Sequence, residues 1–222
     1  MNRATTSIQP WFVHRRMLPK WTGLAITAAL WAAFPPSAAQ GLLLFGIGVL
    51  LFFPNEYVVH RGVFHFFADK PAGKVLSKQH VNHHLAPDDL DYLFNDPRIS
   101  VGVGSLYFIL YWAFTRDLGS AGALSFGNFA GLLYYEWVHF TAHRPGSKPM
   151  TPWGRFMKKW HLWHHYKHEK LWFGVTSPLF DWALGSHRAH AEVEPSPTVR
   201  TLVPTDEQQE WMRGVVPPPR AR

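Results

Sequence analysis

Four long runs of apolar residues alternate with polar segments along the chain. The runs extend over residues 21–34, 38–53, 99–114 and 118–138. A helix needs about 20 residues to cross the hydrocarbon core of a membrane. The fourth run reaches that length alone, and the others reach it with their Trp, Tyr and Pro flanks. The pattern predicts an all-α integral membrane protein with four transmembrane helices. Buried helices of a water-soluble protein are disfavoured, because too little other chain remains to cover them.

The positions of the charged residues predict the orientation of these helices. The net charge is +7, from 22 Lys and Arg against 15 Asp and Glu. With four crossings, the N-terminus, residues 54–98 and residues 139–222 share one side, which holds 21 of the 22 basic residues. Since basic residues concentrate on the cytoplasmic side, we expect both termini and both long polar segments in the cytoplasm. The excess positive charge then indicates a membrane-facing surface rather than a nucleic-acid site.

Composition divides the chain into three predicted regions. Residues 1–20 form a basic N-terminal segment, residues 21–190 carry the apolar runs and most histidines, and residues 191–222 are rich in Pro and charge. We expect residues 21–190 to form one membrane domain and residues 191–222 to be a loosely ordered tail. Gly127 and Gly131, four residues apart in the last apolar run, predict a close approach between helices.

Histidine is the residue type that carries the candidate chemistry. The chain has no cysteine, which excludes disulfides, thiolate metal sites and thiol nucleophiles. Eleven of the 14 histidines lie in residues 60–84 and 139–168, which follow the second and fourth apolar runs. Both segments therefore emerge on the same predicted face of the membrane and can meet in space.

The histidines recur at helical spacings. Two triplets follow the pattern i, i+3, i+4 and one pair the pattern i, i+4, and each pattern lies on one helix face. His60 and His65 are five residues apart, so a helix end or a bend near Gly62 is needed to bring them together. The ten candidate metal ligands are His60, His65, His80, His83, His84, His139, His143, His161, His164 and His165.

Ten clustered imidazoles predict a metal site with two ions. A single histidine is more often a packing or surface residue, and a pH switch needs one or two. Imidazole suits iron, zinc, copper and nickel, and ten ligands exceed the capacity of one ion. Carboxylates one turn away are expected to hold the distal ring N–H groups of the ligands. These are Glu56, Asp88, Glu136 and Glu169, and the candidate residues behind the ligands are Glu136, Tyr135 and His168.

The last histidine triplet lies on a predicted amphipathic helix over residues 152–168. Thr151 is a plausible N-cap, and Pro152 suits the first turn. On a helical wheel the histidines form one stripe, which we expect to face the protein interior. Phe156, Trp160 and Trp163 form another, which we expect to lie at the lipid interface.

Four histidine motifs resemble those of the fatty acid hydroxylase superfamily of membrane di-iron enzymes, which includes sterol desaturases. They are His60-Arg-Gly-Val-Phe-His65, His80-Val-Asn-His-His84, His139-Phe-Thr-Ala-His143 and His161-Leu-Trp-His-His165. Phe173 to Ser177 and Phe180 to Trp182 are similar to the fatty acid 2-hydroxylase branch, and the resemblance covers about residues 40–186. The chain departs from that branch at Trp172, where a glycine is usual, and at His168, where an acidic residue is usual.

The resemblance implies four transmembrane helices under a cytosolic, histidine-rich helical cap. It implies that the ten histidines hold two iron ions, which zinc can replace in isolated protein. With dioxygen as co-substrate, such a centre inserts one oxygen atom into an unactivated C–H bond. A separate electron donor is implied, either a ferredoxin or a cytochrome b-type protein with its reductase.

The sequence thus favours a lipid hydroxylase that acts on the acyl chain of a fatty acid or membrane lipid. The first alternative is a desaturase, or a carotenoid or sterol oxidase, with the same centre. The second is a membrane metal-binding protein without enzymatic activity. Transport is disfavoured, because the apolar runs contain almost no ionisable residues.

Overall fold

The computed structural model describes residues 8–66 and 71–202, with backbone alone for residues 71–75. Within these residues the chain forms helices and connecting segments and contains no β-strand. The all-α prediction is therefore confirmed for the described part of the chain.

The helices follow the apolar runs and the histidine segments. Each of the four predicted runs lies in a helix of its own, namely α2, α3, α6 and α7. The α-helices are α1 (Gln9–Val13), α2 (Leu18–Ala33), α3 (Ala38–Val58), α4 (Pro71–Leu85), α5 (Leu90–Leu93), α6 (Pro97–Thr115), α7 (Leu118–His143), α8 (Pro152–Tyr166) and α9 (Leu179–Ala183). A π-helix (Val59–Phe66) continues α3 without a break, and a short 3₁₀-helix covers His190–Glu192.

Local sequence signals explain where several helices begin and end. The Asp96 side chain caps α6 by accepting the N–H of Arg98 at 2.8 Å. Thr151 caps α8 by accepting the N–H of Gly154 at 3.0 Å, as predicted. Arg116, in the left-handed conformation with φ 55°, ends α6.

The chain divides into two compact units. The histidine unit comprises residues 56–66, 71–93 and 138–202, and the helical unit comprises residues 8–55 and 94–137. All ten candidate ligands lie in the histidine unit. The predicted boundaries near residues 20 and 190 stay a prediction.

Within the helical unit, α7 packs closely against α3. A Cβ atom on Gly48 would lie 2.0 Å from the carbonyl oxygen of Leu124, and one on Gly127 would lie 2.1 Å from that of Phe45. Both positions therefore require glycine, because any side chain would force the helices apart. The predicted role of Gly127 in helix packing is confirmed.

The outer surfaces of the helical unit are apolar. Large side chains of α3 and α6 are exposed, including Leu42 at 65%, Leu50 at 66% and Phe114 at 88%. By length and composition, one helical segment among the described residues is suited to cross a membrane. It is the 29-residue span Ala38–Phe66, and only 22% of its most apolar window is buried.

A buried ion pair fixes one end of the helical unit. The Lys20 ammonium lies 2.8 Å from a carboxylate oxygen of Glu136, and both side chains have no exposed area. Lys20 also donates to the carbonyl oxygens of Arg16 and Asn95, at 3.0 and 3.1 Å. The Glu136 carboxylate accepts the N–H of Asn95 as well. These bonds link the start of α2 and the segment before α6 to α7.

Candidate metal centre

The ten candidate histidines fall into two groups of five. In each group the potential ligand nitrogens all lie within 4.8 Å of one another. Nine of the ten side chains are buried and His65 is partly buried. The first group is His60, His65, His80, His84 and His164, and the second group is His83, His139, His143, His161 and His165.

Each i, i+3, i+4 triplet divides between the two groups. In α4, His80 and His84 belong to the first group and His83 to the second. Successive residues of an α-helix are about 100° apart, so i+3 lies on one side of residue i and i+4 on the other. One helix can therefore supply ligands to two neighbouring positions.

Helix α8 supplies two ligands to the second group and one to the first, the opposite of α4. Its His161 and His165 belong to the second group and His164 to the first. The rings of His84 and His165, one from each group, stack with their centroids 4.0 Å apart. The two groups are therefore direct neighbours.

The π-helix explains the spacing of His60 and His65. Both belong to the first group although they are five residues apart. A π-helix forms i→i+5 hydrogen bonds, so residues five apart lie nearly above one another. The sequence indicated a local departure from α-helical geometry near Gly62, and the structure shows that it is this wider helix.

The distances between ring nitrogens suit ligands of a shared ion. In the second group the Nε2 atoms of His83 and His139 are 2.8 Å apart, as are those of His143 and His161. In the first group, His80 Nε2 lies 2.8 Å from that of His65 and 3.1 Å from that of His60. Two nitrogens bonded to one ion at about 2.0–2.1 Å lie about 2.9 Å apart at a right angle and about 3.3 Å apart at a tetrahedral angle. The donor atoms of both groups fit a metal ion of this size.

Main-chain carbonyls orient three rings of the first group. The Nδ1 atoms of His60, His164 and His84 contact the carbonyl oxygens of Phe173 at 2.5 Å, Leu171 at 2.8 Å and Val199 at 3.1 Å. A carbonyl can only accept, so each Nδ1 carries the hydrogen and each Nε2 presents a lone pair. Such contacts fix the tautomer that a metal ligand needs.

Four rings of the second group differ in this respect. Within the described part of the chain, the Nδ1 atoms of His83, His143, His161 and His165 have no hydrogen-bond partner, although they are buried. The two groups have the same number of imidazoles but different surroundings.

Burial keeps the candidate ligands neutral. Burial is the main cause of a lowered pKa in six of these histidines, and neighbouring histidines lower the pKa values further. The six are His80, His83, His84, His161, His164 and His165. The pKa of His84 falls to about 3. A metal ligand must be the neutral imidazole, so these rings are ready to bind an ion at neutral pH.

Two buried carboxylates hold the loop that carries the carbonyls of Leu171 and Phe173. Asp181 accepts the N–H groups of Phe173 at 2.8 Å and Gly174 at 2.7 Å. Glu56 accepts the N–H groups of Val175 at 2.6 Å and Thr176 at 3.0 Å, and also the Thr176 hydroxyl. We call residues 171–176 the carbonyl loop.

The carboxylates predicted to hold ligand rings have other partners. Glu56 holds the carbonyl loop, Glu136 pairs with Lys20, and Glu169 accepts the hydroxyl of Thr198 at 2.7 Å. For these three residues the described contacts are with other groups, and their predicted role in holding ligand rings stays a prediction. An ammonium or several main-chain N–H groups compete better for a carboxylate than one neutral imidazole does. The observed ring acceptors are main-chain carbonyls, which carry no residue-type signal in a sequence.

Tyr135 and His168 are the other two residues that the sequence suggested as supports for the metal ligands. Tyr135 is buried in the helical unit, with its ring 6.1 Å from that of Phe52. His168 is partly exposed, and its Nδ1 accepts the N–H of Lys170 at 3.2 Å. Their predicted role in orienting ligands stays a prediction.

One tryptophan differs from its sequence expectation, and a second has an unusual backbone conformation. Trp160, predicted to face lipid, is 2% exposed, and its indole N–H donates to Asp181 at 3.3 Å. The stripe prediction is wrong for this residue, because a buried carboxylate needs its indole. Trp172 is buried in the left-handed conformation at φ 57°, which glycine adopts more readily than any residue with a Cβ atom.

The fold and the site are those of an all-helical protein with a histidine-rich metal-binding site. The family model for fatty acid hydroxylase matches residues 45–186. The chain therefore belongs to the fatty acid hydroxylase family, which confirms the resemblance found in its histidine motifs.

Individual relatives agree with this membership. The chain is 34% identical over 155 residues to the ceramide very long chain fatty acid hydroxylase SCS7 of Saccharomyces cerevisiae, a match covering 65% of this chain and 38% of that protein. It is 30% identical over 149 residues to the dihydroceramide fatty acyl 2-hydroxylase FAH1 of Arabidopsis thaliana, covering 65% and 60% respectively. The chain thus covers less than two thirds of the length of each of these relatives.

A solved structure of full-length Scs7p, in which only the hydroxylase domain is visible, matches the fold. The TM-score is 0.70 at 26% identity, over 85% of this chain and 72% of that one.

Proposed function

We propose that this protein is a membrane-embedded di-iron oxygenase that hydroxylates the acyl chain of a fatty acid or membrane lipid. The observation that carries the proposal is the pair of buried five-histidine groups in a member of the fatty acid hydroxylase family. The relatives' names, which specify fatty acyl chains of ceramide and dihydroceramide, support a lipid acyl substrate.

Each histidine group would hold one iron ion. When bound, the two ions would supply the activation of dioxygen that insertion into a C–H bond requires. All-nitrogen ligation suits iron and also zinc, so isolated protein is expected to take up zinc where iron is scarce. The protein's own part is to keep the imidazoles neutral, to fix the orientation of His60, His84 and His164, and to exclude water by burial.

The reaction needs a separate electron donor. Converting a C–H bond and dioxygen into an alcohol and water consumes two electrons and two protons. We propose that a ferredoxin, or a cytochrome b-type protein with its reductase, delivers the electrons from the cytoplasm.

We propose that α2, α3, α6 and α7 cross the membrane, with the histidine unit and both termini in the cytoplasm. The exposed apolar side chains of α3 and α6 support a lipid-facing role for those helices. The loops on the other side of the membrane would be residues 35–37 and 115–117. Their one basic residue is Arg116, which supports the proposed orientation.

Comparative lipid mass spectrometry tests the function. Membranes would be compared from cells expressing the wild type, His164→Ala or His190→Ala, each with a competent electron donor. His164 is buried in the first group, whereas His190 is exposed and outside both groups. We expect a lipid class heavier by one oxygen atom with the wild type and His190→Ala, and none with His164→Ala.

Other product patterns would overturn the proposal. Loss of two hydrogens from the lipid would establish a desaturase. An oxidised carotenoid or sterol would establish a different substrate class. An unchanged lipidome, with inserted and metal-loaded protein, would favour a metal-binding role without catalysis.

A further inference from the structure

The two histidine groups differ in what lies behind their rings. Three first-group rings contact main-chain carbonyls through Nδ1. Four second-group rings have no hydrogen-bond partner at Nδ1 among the described residues. Two of the three carbonyls, those of Leu171 and Phe173, belong to the carbonyl loop. The first group is therefore the one whose geometry depends on that loop.

Asp181 is the centre of the bonds that hold this part of the loop. The residue is fully buried. One carboxylate oxygen accepts the N–H of Phe173 and the Ser186 hydroxyl at 2.6 Å, and the other accepts the N–H of Gly174 and the Trp160 indole. Each oxygen thus has two donors, and one of them is the main chain of Phe173, whose carbonyl contacts His60.

The loop has no room to shift its backbone toward Asp181. A Cβ atom on Gly174 would lie 1.9 Å from the carbonyl oxygen of Ser177 and 3.0 Å from an Asp181 oxygen. The turn packs directly against the Asp181 carboxylate. The position of Asp181 therefore determines the position of the Phe173 carbonyl.

We infer that Asp181 is a positioning residue for the first-group ion, and that the two ions are consequently held unequally. The inference rests on the proposed function, since it requires that both groups bind iron. Asp181 contacts neither ion. It acts through the Phe173 carbonyl on His60 and through the neighbouring Leu171 carbonyl on His164.

The physical reason is the effect of a hydrogen-bond acceptor on a ligand imidazole. A carbonyl that accepts from Nδ1–H fixes the ring orientation and makes Nε2 a better electron donor. Removing such an outer partner typically lowers metal affinity by about 10–100-fold. Second-group rings without an Nδ1 acceptor gain nothing from the loop, so its loss leaves them unaffected.

The test uses the full-length protein in detergent, loaded anaerobically with ⁵⁷Fe(II). The variant is Asp181→Asn, which keeps the shape but puts an amide N–H₂ where two donors now meet the carboxylate. Ser186→Ala removes one donor to Asp181 and is the milder variant. Asp96→Asn is the matched control, because Asp96 also accepts a main-chain N–H but lies in the helical unit.

Two further backgrounds separate the groups. His161→Ala removes one ligand from the second group, and His164→Ala removes one from the first. Iron retained against graded chelator is measured in each background with and without Asp181→Asn. Mössbauer spectra of the two-iron form report the surroundings of each ion separately, and circular dichroism reports helix content.

We expect Asp181→Asn to lower the affinity for one of the two iron ions by about 10–100-fold. It should also change one of the two Mössbauer doublets. This loss of iron affinity should appear in the His161→Ala background, where the first group is intact. It should be absent from the His164→Ala background, where the first group already lacks a ligand. Ser186→Ala should give a smaller loss of the same ion, and Asp96→Asn none. If Asp181→Asn does not fold, Ser186→Ala decides the matter alone.

Equal weakening of both ions by Asp181→Asn, or weakening of neither, would overturn the inference while leaving the proposed function intact. A wild-type protein that binds fewer than two iron ions would overturn both together.

Discussion

Replacing Lys20 by methionine is expected to destabilise the protein strongly. The substitution leaves the buried Glu136 carboxylate without its cation, which now lies 2.8 Å away. Breaking a buried ion pair by removing one partner costs about 3–5 kcal/mol, because an uncompensated charge stays in a low-dielectric surrounding. The carbonyls of Arg16 and Asn95 lose a donor as well, so the upper part of that range is expected.

The remaining variants of a double-mutant cycle should behave differently. Glu136→Gln leaves the buried Lys20 ammonium without its anion, but the amide oxygen and two main-chain carbonyls still accept from it, so a loss near the lower end of about 3–5 kcal/mol is expected. Lys20→Met with Glu136→Gln leaves no buried charge at this site. The double variant should therefore be more stable than Lys20→Met alone, although it has one more substitution.

Thermal unfolding in detergent, followed by circular dichroism, measures these effects. In a chain of this size, 1 kcal/mol corresponds to about 2–4 °C, so a loss of about 4–5 kcal/mol in Lys20→Met should lower the melting temperature by about 8–20 °C. Arg98→Met is the matched control, because it breaks an ion pair with Asp96 whose arginine is 91% exposed, and exposed pairs contribute little.

Two results would refute this reasoning. One is a Lys20→Met variant as stable as Arg98→Met, and the other is a double variant less stable than Lys20→Met. The cycle also tests the earlier assignment of Glu136 to the site. If Glu136 serves the ion pair, the folded double variant keeps the iron content of the wild type, whereas a role in orienting a ligand requires a loss.

Two other properties can be predicted. Trp172→Ala should be less stable than Trp172→Gly by about 1 kcal/mol, because left-handed backbone disfavours a Cβ atom; both should be about 3–5 kcal/mol less stable than the wild type through loss of a buried indole. Equal stability of the two in thermal unfolding would exclude backbone strain at this position. The metal-free protein should lose stability as the pH falls below about 6.5, the ordinary histidine pKa. The sign follows because burial lowers the pKa of the site histidines, to about 3 for His84, so the unfolded chain binds more protons between these values. Melting temperatures that do not fall between pH 7 and pH 5 would contradict the neutral state of these rings.

Residue patterns predicted the helices well and pointed to ten histidines that the structure brings together, because both patterns depend on local periodicity. The apolar runs correspond to α2, α3, α6 and α7, and the capping of α8 by Thr151 follows from side-chain chemistry. The spacing of His80, His83 and His84 showed that they share a helix face. It did not show that His83 belongs to a different group from its neighbours, because that division depends on where α8 lies.

The environment of the histidines could not be predicted in the same way. Any residue type supplies a carbonyl, so nothing in the sequence marks Leu171, Phe173 or Val199 as a ring acceptor. Carboxylates one helical turn from a histidine were the visible candidates, but Glu56 and Glu136 bind distant partners. The left-handed backbone of Trp172 was not predicted either, because residues with a Cβ atom rarely adopt this conformation.

The π-helix at Val59–Phe66 makes this part of the chain sensitive to length rather than to composition. Its turns hold about one residue more than those of an α-helix, and that extra residue brings His65 level with His60. Deleting any one residue between the two histidines would restore α-helical spacing within the segment. It would also rotate every following side chain by about 100° relative to α3. Single-residue insertions and deletions between His60 and His65 should therefore separate the two rings even where every histidine is kept.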